Sequence, residues 1–174
     1  MSSSLTATEV VGFKLLHVAT RGDVRAAATE LATALDMPVS DLPGAVAAKD
    51  DGRRVLWFGP GRWLVQGQST HFSLDELPGS VVTDLSDSRR IFSLRGTGVA
   101  NYLSRHCPLD LDIKVMRPGT CALTQFDRFG VLLYRDAEHA FELYVETSYA
   151  AALPDEILFD GSSPRLTDTK PADT

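Results

Sequence analysis

Hydrophobic and polar positions follow strand and helix periods in turn along the first half of the chain. A strand is predicted over 13–18 and a helix behind Asp23, whose carboxylate suits a helix N-cap. The helix places on one face its apolar residues Val24, Ala27, Ala28, Leu31 and Leu35. A hairpin over 54–58 and 63–66 is apolar on both faces, so we expect both faces to be covered. The remaining elements of this half are a helical turn within 72–77 and a strand over 81–85.

A similar pattern starts again after Ser86. A strand over 90–94 leads through Gly96-Thr97-Gly98 into a helix whose apolar stripe consists of Val99, Tyr102, Leu103 and His106. Three further strands are predicted over 121–126, 129–134 and 141–146. In the last strand the apolar residues alternate with Glu142 and Glu146, so we expect both glutamates to face solvent.

These elements predict an α+β protein made of two ferredoxin-like βαββ-type halves with antiparallel sheets. Residues 1–9 are mostly small and polar and are expected to form a flexible leader. A single compact α+β unit is predicted over 10–158, with halves of about 10–86 and 87–158. Residues 159–174 have no hydrophobic period and are expected to form a disordered tail.

Composition and charge narrow the classes of partner. The 174 residues are 44% hydrophobic and carry a net charge of −6, and basic residues cluster no further than the pairs Arg53-Arg54 and Arg89-Arg90. Binding to a phosphate backbone needs a concentrated cationic face, so we expect no nucleic-acid partner. No apolar run approaches the roughly 20 residues of a membrane span, and no secretory signal is recognisable. We therefore expect a cytoplasmic protein without a membrane partner.

Two patterns invite a catalytic interpretation. Gly96-Thr97-Gly98 joins a strand to a helix as a dinucleotide-binding turn does, but it lacks the third glycine, the later acidic residue and a parallel βαβ context. We interpret it as a plain turn. The aspartates near loops could form an acid–base pair, although aspartate is common in turns for local hydrogen bonding alone. These aspartates are Asp84, Asp87, Asp110 and Asp112.

The histidines and cysteines also form no recognisable metal-binding or catalytic motif. The four histidines, which are His17, His71, His106 and His139, share no ligand spacing with one another or with the cysteines. Cys107 ends a predicted helix, where the helix dipole disfavours a thiolate. Cys107 and Cys121 are expected to be reduced and buried, with a disulfide between them as the alternative. The sequence therefore predicts no catalytic, cofactor-binding or metal-binding residue in this chain.

Two tryptophans flank the hairpin turn. Trp57 and Trp63 lie on a hairpin that is apolar on both faces, so they are expected to belong to the core or to a subunit interface rather than to an exposed aromatic platform.

Several segments, in order, resemble one family. The Leu-Trp-Phe-Gly-Pro segment 56–60 and Trp63-Leu64-Val65 resemble the hairpin of the gamma subunit of heterotetrameric sarcosine oxidase. The other matching segments are 83–87, 94–96, the Cys-Pro-Leu-Asp-Leu sequence 107–111, 118–124, 141–145 and 148–150. The resemblance covers roughly residues 10 to 153. Gly61-Arg62 stands where the family has Asp-Glu, which reverses the local charge and makes Arg62 a third interface candidate beside the two tryptophans.

The resemblance implies a fold similar to the N-terminal part of the glycine cleavage T protein and a role in an enzyme complex. Such a complex oxidatively demethylates sarcosine to glycine, passes the one-carbon unit to tetrahydrofolate and releases hydrogen peroxide. FAD, FMN, NAD and tetrahydrofolate are expected in partner chains, which are the large alpha and beta flavoprotein subunits and a small delta subunit. The gamma chain itself is expected to be non-catalytic and to support assembly and stability.

Two other functions are compatible with the same residues. One is a free-standing folate-binding protein or aminomethyltransferase of the T-protein fold, which the short chain length disfavours. The other is a ligand-sensing module of ferredoxin-like shape.

Overall fold

The computed structural model describes residues 4–68, 74, 77–153 and 157. Within these residues the chain forms ten strands and three helices. The strands are β1 (Thr6–Val10), β2 (Phe13–Thr20), β3 (Val46–Ala48), β4 (Arg54–Gly59), β5 (Arg62–Gln68), β6 (Ser80–Asp84), β7 (Arg89–Arg95), β8 (Thr120–Phe126), β9 (Phe129–Ala137) and β10 (Ala140–Glu146). The helices are α1 (Val24–Leu35), α2 (Val99–Leu103) and α3 (Thr147–Ala150).

The strands form two five-stranded sheets with equivalent topology. The first sheet has the order β3-β4-β5-β2-β6, and the second, read from its β8 edge, has the order β8-β9-β10-β7-β1. The strand pairs in both sheets are antiparallel. The prediction of an α+β protein with two antiparallel halves is therefore confirmed.

The edge strands β1 and β6 are exchanged between the halves. Strand β1 directly precedes β2 in the chain but pairs with β7 of the second sheet, and β6 directly precedes β7 but pairs with β2 of the first sheet. The expectation of a flexible leader over 1–9 is therefore wrong for residues 6–9. Pairing with β7 satisfies one edge of the β1 backbone, and Ala7, which is 2% exposed, packs into the core of the second half.

The inner faces of the two sheets pack against each other, and the helices cover the outer faces. Leu15, Leu56 and Leu64 of the first sheet join a buried cluster with residues of the second sheet. On the outer face of the first sheet, Val55 and Trp63 pack with the buried face of α1. The hairpin β4–β5 is thus covered on both sides, as its two apolar faces predicted.

Helices α1 and α2 are present where the apolar periodicity predicted helices. Asp23 caps α1, because its carboxylate accepts hydrogen bonds from the amides of Arg25 and Ala26 at 2.8 and 3.1 Å. In the stripe of α2 the first three residues are buried, while His106 lies beyond the helix end and is half-buried. Most of the helical turn predicted within 72–77, and the tail predicted over 159–174, lie outside the described residues.

Two features of the first and second sheets were not expected. Strand β3 is a three-residue edge strand between α1 and β4, where the sequence predicted no element. Glu142 was expected to face solvent but is 6% exposed. The prediction for Glu142 is wrong because Glu142 lies on the inner face of β10, and the first sheet covers that face instead of water.

Candidate functional site

The Gly96-Thr97-Gly98 turn contacts the backbone of Ser4, just before β1. The amide of Gly98 donates to the carbonyl oxygen of Ser4 at 2.9 Å. Gly96 has φ of 122°, and a Cβ at this position would lie 2.3 Å from the same oxygen. The glycine therefore allows the backbone before β1 to cross this turn closely. The structure agrees with a plain strand-to-helix turn.

The aspartates singled out in the sequence act in turns and are not brought together as a pair. The Asp84 carboxylate accepts hydrogen bonds from the Ser86 hydroxyl at 2.6 Å and the Ser86 amide at 2.9 Å, which hold the pKa of Asp84 below its ordinary value. Asp110 and Asp112 accept from backbone amides two residues further on, at 2.9 and 2.8 Å. The Asp87 carbonyl accepts from the Thr147 hydroxyl at 3.1 Å.

The histidines lie in separate surroundings. His106 stacks on Phe126 and places Nδ1 2.9 Å from a carboxylate oxygen of Asp127. His139 is exposed, with Nε2 3.8 Å from a Glu138 oxygen. His17 packs edge-on against Phe58. His71 lies outside the described residues, and those residues contain no group of three or more His, Cys, Asp and Glu side chains that could hold a metal ion.

Both cysteines are free thiols in apolar surroundings. Burial raises the pKa of Cys107 to about 12, with the Asp127 charge adding to the effect. Burial likewise raises the pKa of Cys121 to about 12. Neither thiol has the thiolate character that nucleophilic catalysis needs.

The interface candidates divide into buried and accessible residues. Trp63 is 0% exposed, and its Nε1 donates to the Ser40 carbonyl at 2.9 Å. Of the two alternatives expected for Trp63, core or subunit interface, the structure places its ring in the core between α1 and the first sheet. Trp57 is half-buried and Arg62 is exposed. Both lie beside the hairpin turn and are still available for contact with a partner.

A buried polar network, which the sequence did not predict, crosses between the sheets. Arg54 Nη1 lies 2.7 Å from a carboxylate oxygen of Glu142, and the same oxygen accepts a hydrogen bond from the Tyr144 hydroxyl at 2.9 Å. The Tyr144 hydroxyl also contacts Gln66 Oε1. Arg54 and Gln66 belong to the first sheet, whereas Glu142 and Tyr144 belong to the second.

The charge states in this network suit a structural role. Burial lowers the pKa of Arg54, but Tyr144 and Glu142 outweigh burial and raise it, so the guanidinium stays charged. Burial, followed by the Glu142 charge, raises the pKa of Tyr144 well above its ordinary value, so its hydroxyl stays a hydrogen-bond donor. The groups satisfy one another, which is the requirement for burying them.

A cleft opens in the layer between the sheets beside this network, and Tyr144 lines it. This inter-sheet cleft has a volume of about 480 Å³, and its walls include Phe58 and Leu64 of the first sheet and Leu123 and Leu132 of the second. Arg89 and Glu146 line it as a cross-strand ion pair, with Nη1 and Oε1 3.2 Å apart. Its residues come from distant strands of both sheets, so no local motif in the sequence marked it.

Curated sarcosine oxidase gamma subunits are similar to the chain in sequence. The protein from Corynebacterium sp. (strain U-96) is 30% identical over 134 residues, which cover 74% of this chain and 64% of the relative. The protein from Arthrobacter sp. is 30% identical over 118 residues, covering 64% of this chain and 58% of the relative. The chain thus spans about three fifths of the length of these curated relatives. No protein-family model matches the chain.

Two solved structures share the fold. The glycine cleavage system aminomethyltransferase T from Bartonella henselae has a TM-score of 0.64 at 16% identity, covering 90% of this chain and 46% of that chain. Heterotetrameric sarcosine oxidase from Corynebacterium sp. U-96, in complex with pyrrole 2-carboxylate, has a TM-score of 0.76 at 27% identity, covering 84% of this chain and 78% of that chain.

The two facing sheets with outer helices therefore define a protein of the T-protein-like fold class. Within that class, sequence and structure together identify the chain as a homologue of the sarcosine oxidase gamma subunit. The resemblance stated from the ordered sequence segments is confirmed. In the described residues no helix is long and apolar enough to cross a membrane.

Proposed function

We propose that this chain is the gamma subunit of a heterotetrameric sarcosine oxidase. The complex would oxidatively demethylate sarcosine to glycine, transfer the one-carbon unit to tetrahydrofolate and release hydrogen peroxide. The observation that carries this proposal is the 30% identity to gamma subunits over 134 residues, together with a TM-score of 0.76 to a chain of the heterotetrameric enzyme.

The gamma chain would contribute to assembly and stability rather than to chemistry. Among the described residues, several groups that could do chemistry are used in structural contacts. Glu142 is paired with Arg54 between the sheets, and the His106 ring is held by Asp127 and Phe126. The pKa of each cysteine is about 12, which keeps both thiols protonated near neutral pH. These contacts support a rigid scaffold.

The partners and cofactors follow from the same proposal. The chain would bind the large alpha and beta flavoprotein subunits, in a complex that also holds a small delta subunit. FAD, FMN, NAD and tetrahydrofolate would be bound by those partner chains. Two free, buried cysteines suit a reducing compartment, so the complex would work in the cytoplasm.

Trp57 and Arg62 would form part of the contact with a large subunit. They lie on either side of the β4–β5 turn, where Trp57 is half-buried and Arg62 is exposed. An amphipathic tryptophan beside an arginine is a composition enriched at protein interfaces. The arginine stands at a turn where the family has Asp-Glu, so the partner surface would carry a complementary acidic group.

Co-expression tests the assignment directly. The full chain carrying an affinity tag would be produced alone and together with candidate alpha, beta and delta chains from the same organism. We expect the chain alone to be colourless, and the co-purified complex to contain all four chains with a flavin absorbance spectrum and sarcosine-dependent hydrogen peroxide release. Flavin bound to the isolated chain, or failure to retain the large chains, would contradict the proposal.

A charge reversal tests the contact surface. Arg62→Glu should reduce retention of the large chains at least threefold, and more strongly at low salt because like charges then repel over a longer distance. Arg25→Glu is the matched control, since Arg25 is also exposed but lies on α1. Equal retention with both variants would exclude Arg62 from the interface while leaving the subunit assignment intact.

A further inference from the structure

The inter-sheet cleft is a gap in a layer that is otherwise filled. Leu15, Leu56 and Ile91, which belong to the same layer, are each 0% exposed. The cleft in this layer measures about 480 Å³, within the usual range of small-molecule sites. Protein interiors are normally packed at close to crystal density, so an opening of this size between two sheets needs an explanation.

Gly130 keeps the cleft open. Because side chains alternate along a strand, position 130 of β9 faces the same side as Leu132 and Tyr134, which pack between the sheets. A Cβ at Gly130 would meet no atom within 4 Å, and its φ lies outside the left-handed region. Neither the backbone nor a close neighbour therefore requires glycine here. Glycine within a strand lowers stability, and its effect at this exposed position is to leave the space of a side chain open in the cleft.

The walls of the cleft are mostly apolar, and the charged residues that line it are Arg89 and Glu146, of which Arg89 has the more buried side chain. Phe58 and Leu123 offer apolar surface from opposite sheets. Arg89 lines the cleft, and its partner Glu146 has a side chain that is 45% exposed, so this carboxylate can move into water when another anion binds the guanidinium.

His17 places a polar ring beside the cleft wall formed by Phe58. Its ring packs on Phe58, and its pKa is lowered first by burial and then by the charges of Arg62 and Arg89. His17 Nε2 is buried, and it has no hydrogen-bond partner among the described residues.

We propose that the inter-sheet cleft binds a small organic anion. Its apolar or aromatic body would lie between Phe58 and Leu123 over the space left by Gly130, and its anionic group would bind Arg89 in place of Glu146. This site does not depend on the assignment of the chain as an oxidase subunit, because its geometry lies wholly within the chain.

The first test uses the full chain and the fluorescent probe 1-anilinonaphthalene-8-sulfonate, which combines an aromatic body with a sulfonate. We expect saturable binding with one probe per chain. Gly130→Leu should weaken binding at least tenfold because the side chain fills the cleft, whereas Gly130→Ala, which occupies little of it, should change the affinity less than threefold. Unchanged binding by a folded Gly130→Leu variant, or several equivalent sites per chain, would overturn the proposal.

The second test isolates the charge. Arg89→Gln should weaken binding of the anionic probe at least tenfold, and it should change the affinity for the uncharged N-phenyl-1-naphthylamine less than threefold. Equal losses for both probes, or no loss for either, would rule out Arg89 as the anion-binding group.

An NMR measurement on the unmodified chain covers the case in which a variant does not fold. On addition of 1-anilinonaphthalene-8-sulfonate, the backbone amide signals of Arg89, Gly130 and Leu132 should shift most. Shifts concentrated on the outer faces, around α1 or α2, would place the probe elsewhere and refute the site.

Discussion

The ion pair between Arg54 and Glu142 allows a direct test of how the two sheets are held together. The pair spans the layer between the sheets with an N–O distance of 2.7 Å, and the exposed fractions of the two side chains are 19% and 8%. Replacing Arg54 with methionine keeps an unbranched apolar stem in place but leaves Glu142 with only the Tyr144 hydroxyl at 2.9 Å among its described partners. We expect Arg54→Met to destabilise the whole chain.

The size of the loss follows from the burial of the pair. Removing one member of a buried ion pair costs about 3–5 kcal/mol, because the remaining charge is left without compensation. Since Arg54 is partly exposed, some water reaches the pair, and we expect the lower end of this range, about 3 kcal/mol. For a chain of this length such a loss corresponds to a melting temperature lower by about 6–12 °C.

The assay is urea unfolding of the full chain at pH 7, followed by far-ultraviolet circular dichroism, with thermal unfolding as a second measurement. Lys49→Met is the matched control. Lys49 forms an ion pair with Asp36 at 2.8 Å, but the Asp36 side chain is 94% exposed, so the loss of this pair should leave the urea midpoint nearly unchanged.

A double variant separates the effect of breaking the ion pair from the effect of losing the packing of the Arg54 side chain. Arg54→Met combined with Glu142→Leu removes both charges, and we expect it to lie within about 1–2 kcal/mol of the unmodified chain. The reasoning would be refuted if Arg54→Met cost no more than Lys49→Met, or if the double variant were less stable than Arg54→Met alone.

Three further predictions concern single positions. Gly96→Ala should cost at least about 2 kcal/mol and speed hydrogen exchange in β1, because the new Cβ would collide with the Ser4 carbonyl at 2.3 Å; protection equal to that of the unmodified chain would contradict this. At pH 8 both cysteines of the folded chain should react with Ellman's reagent far more slowly than after denaturation, since the pKa of each is about 12; rapid labelling of the folded chain would oppose it. Because burial and two arginines lower the pKa of His17, the unfolded chain binds more protons as the pH falls through about 6.5, so the free energy of unfolding should fall with it. His17→Gln should flatten this dependence between pH 7 and 5, and an unaltered slope would argue against it.

Local pattern predicted the elements whose signals lie within a short window. The Asp23 cap and the apolar face of α1 are such signals, because a helix repeats every 3.6 residues and its cap is a neighbour in sequence. The hairpin of β4 and β5 was predicted for the same reason, and its two apolar faces correctly indicated cover on both sides. The order of short segments also identified the family.

Contacts between residues distant in the chain decided features that no local sequence pattern indicates. Residues 6–9 look like a leader because their composition has no strong period, yet they form an edge strand through pairing with β7, more than 80 residues away. Glu142 looks exposed because it alternates with apolar residues, yet the opposite sheet and Arg54 bury it. Trp63 was an interface candidate until its position against α1 placed it in the core.

The inter-sheet cleft is another feature that only the tertiary structure decides. Arg89, Gly130 and Glu146 come from three strands of the second sheet, and Phe58 and Leu64 of the first sheet join them in one cleft only because the two sheets pack with their inner faces together. The period of a strand determines which residues share a face, and this was readable from the sequence alone. The packing of strands that are distant in the chain determines which surface covers a given strand face. Only the tertiary structure decided this.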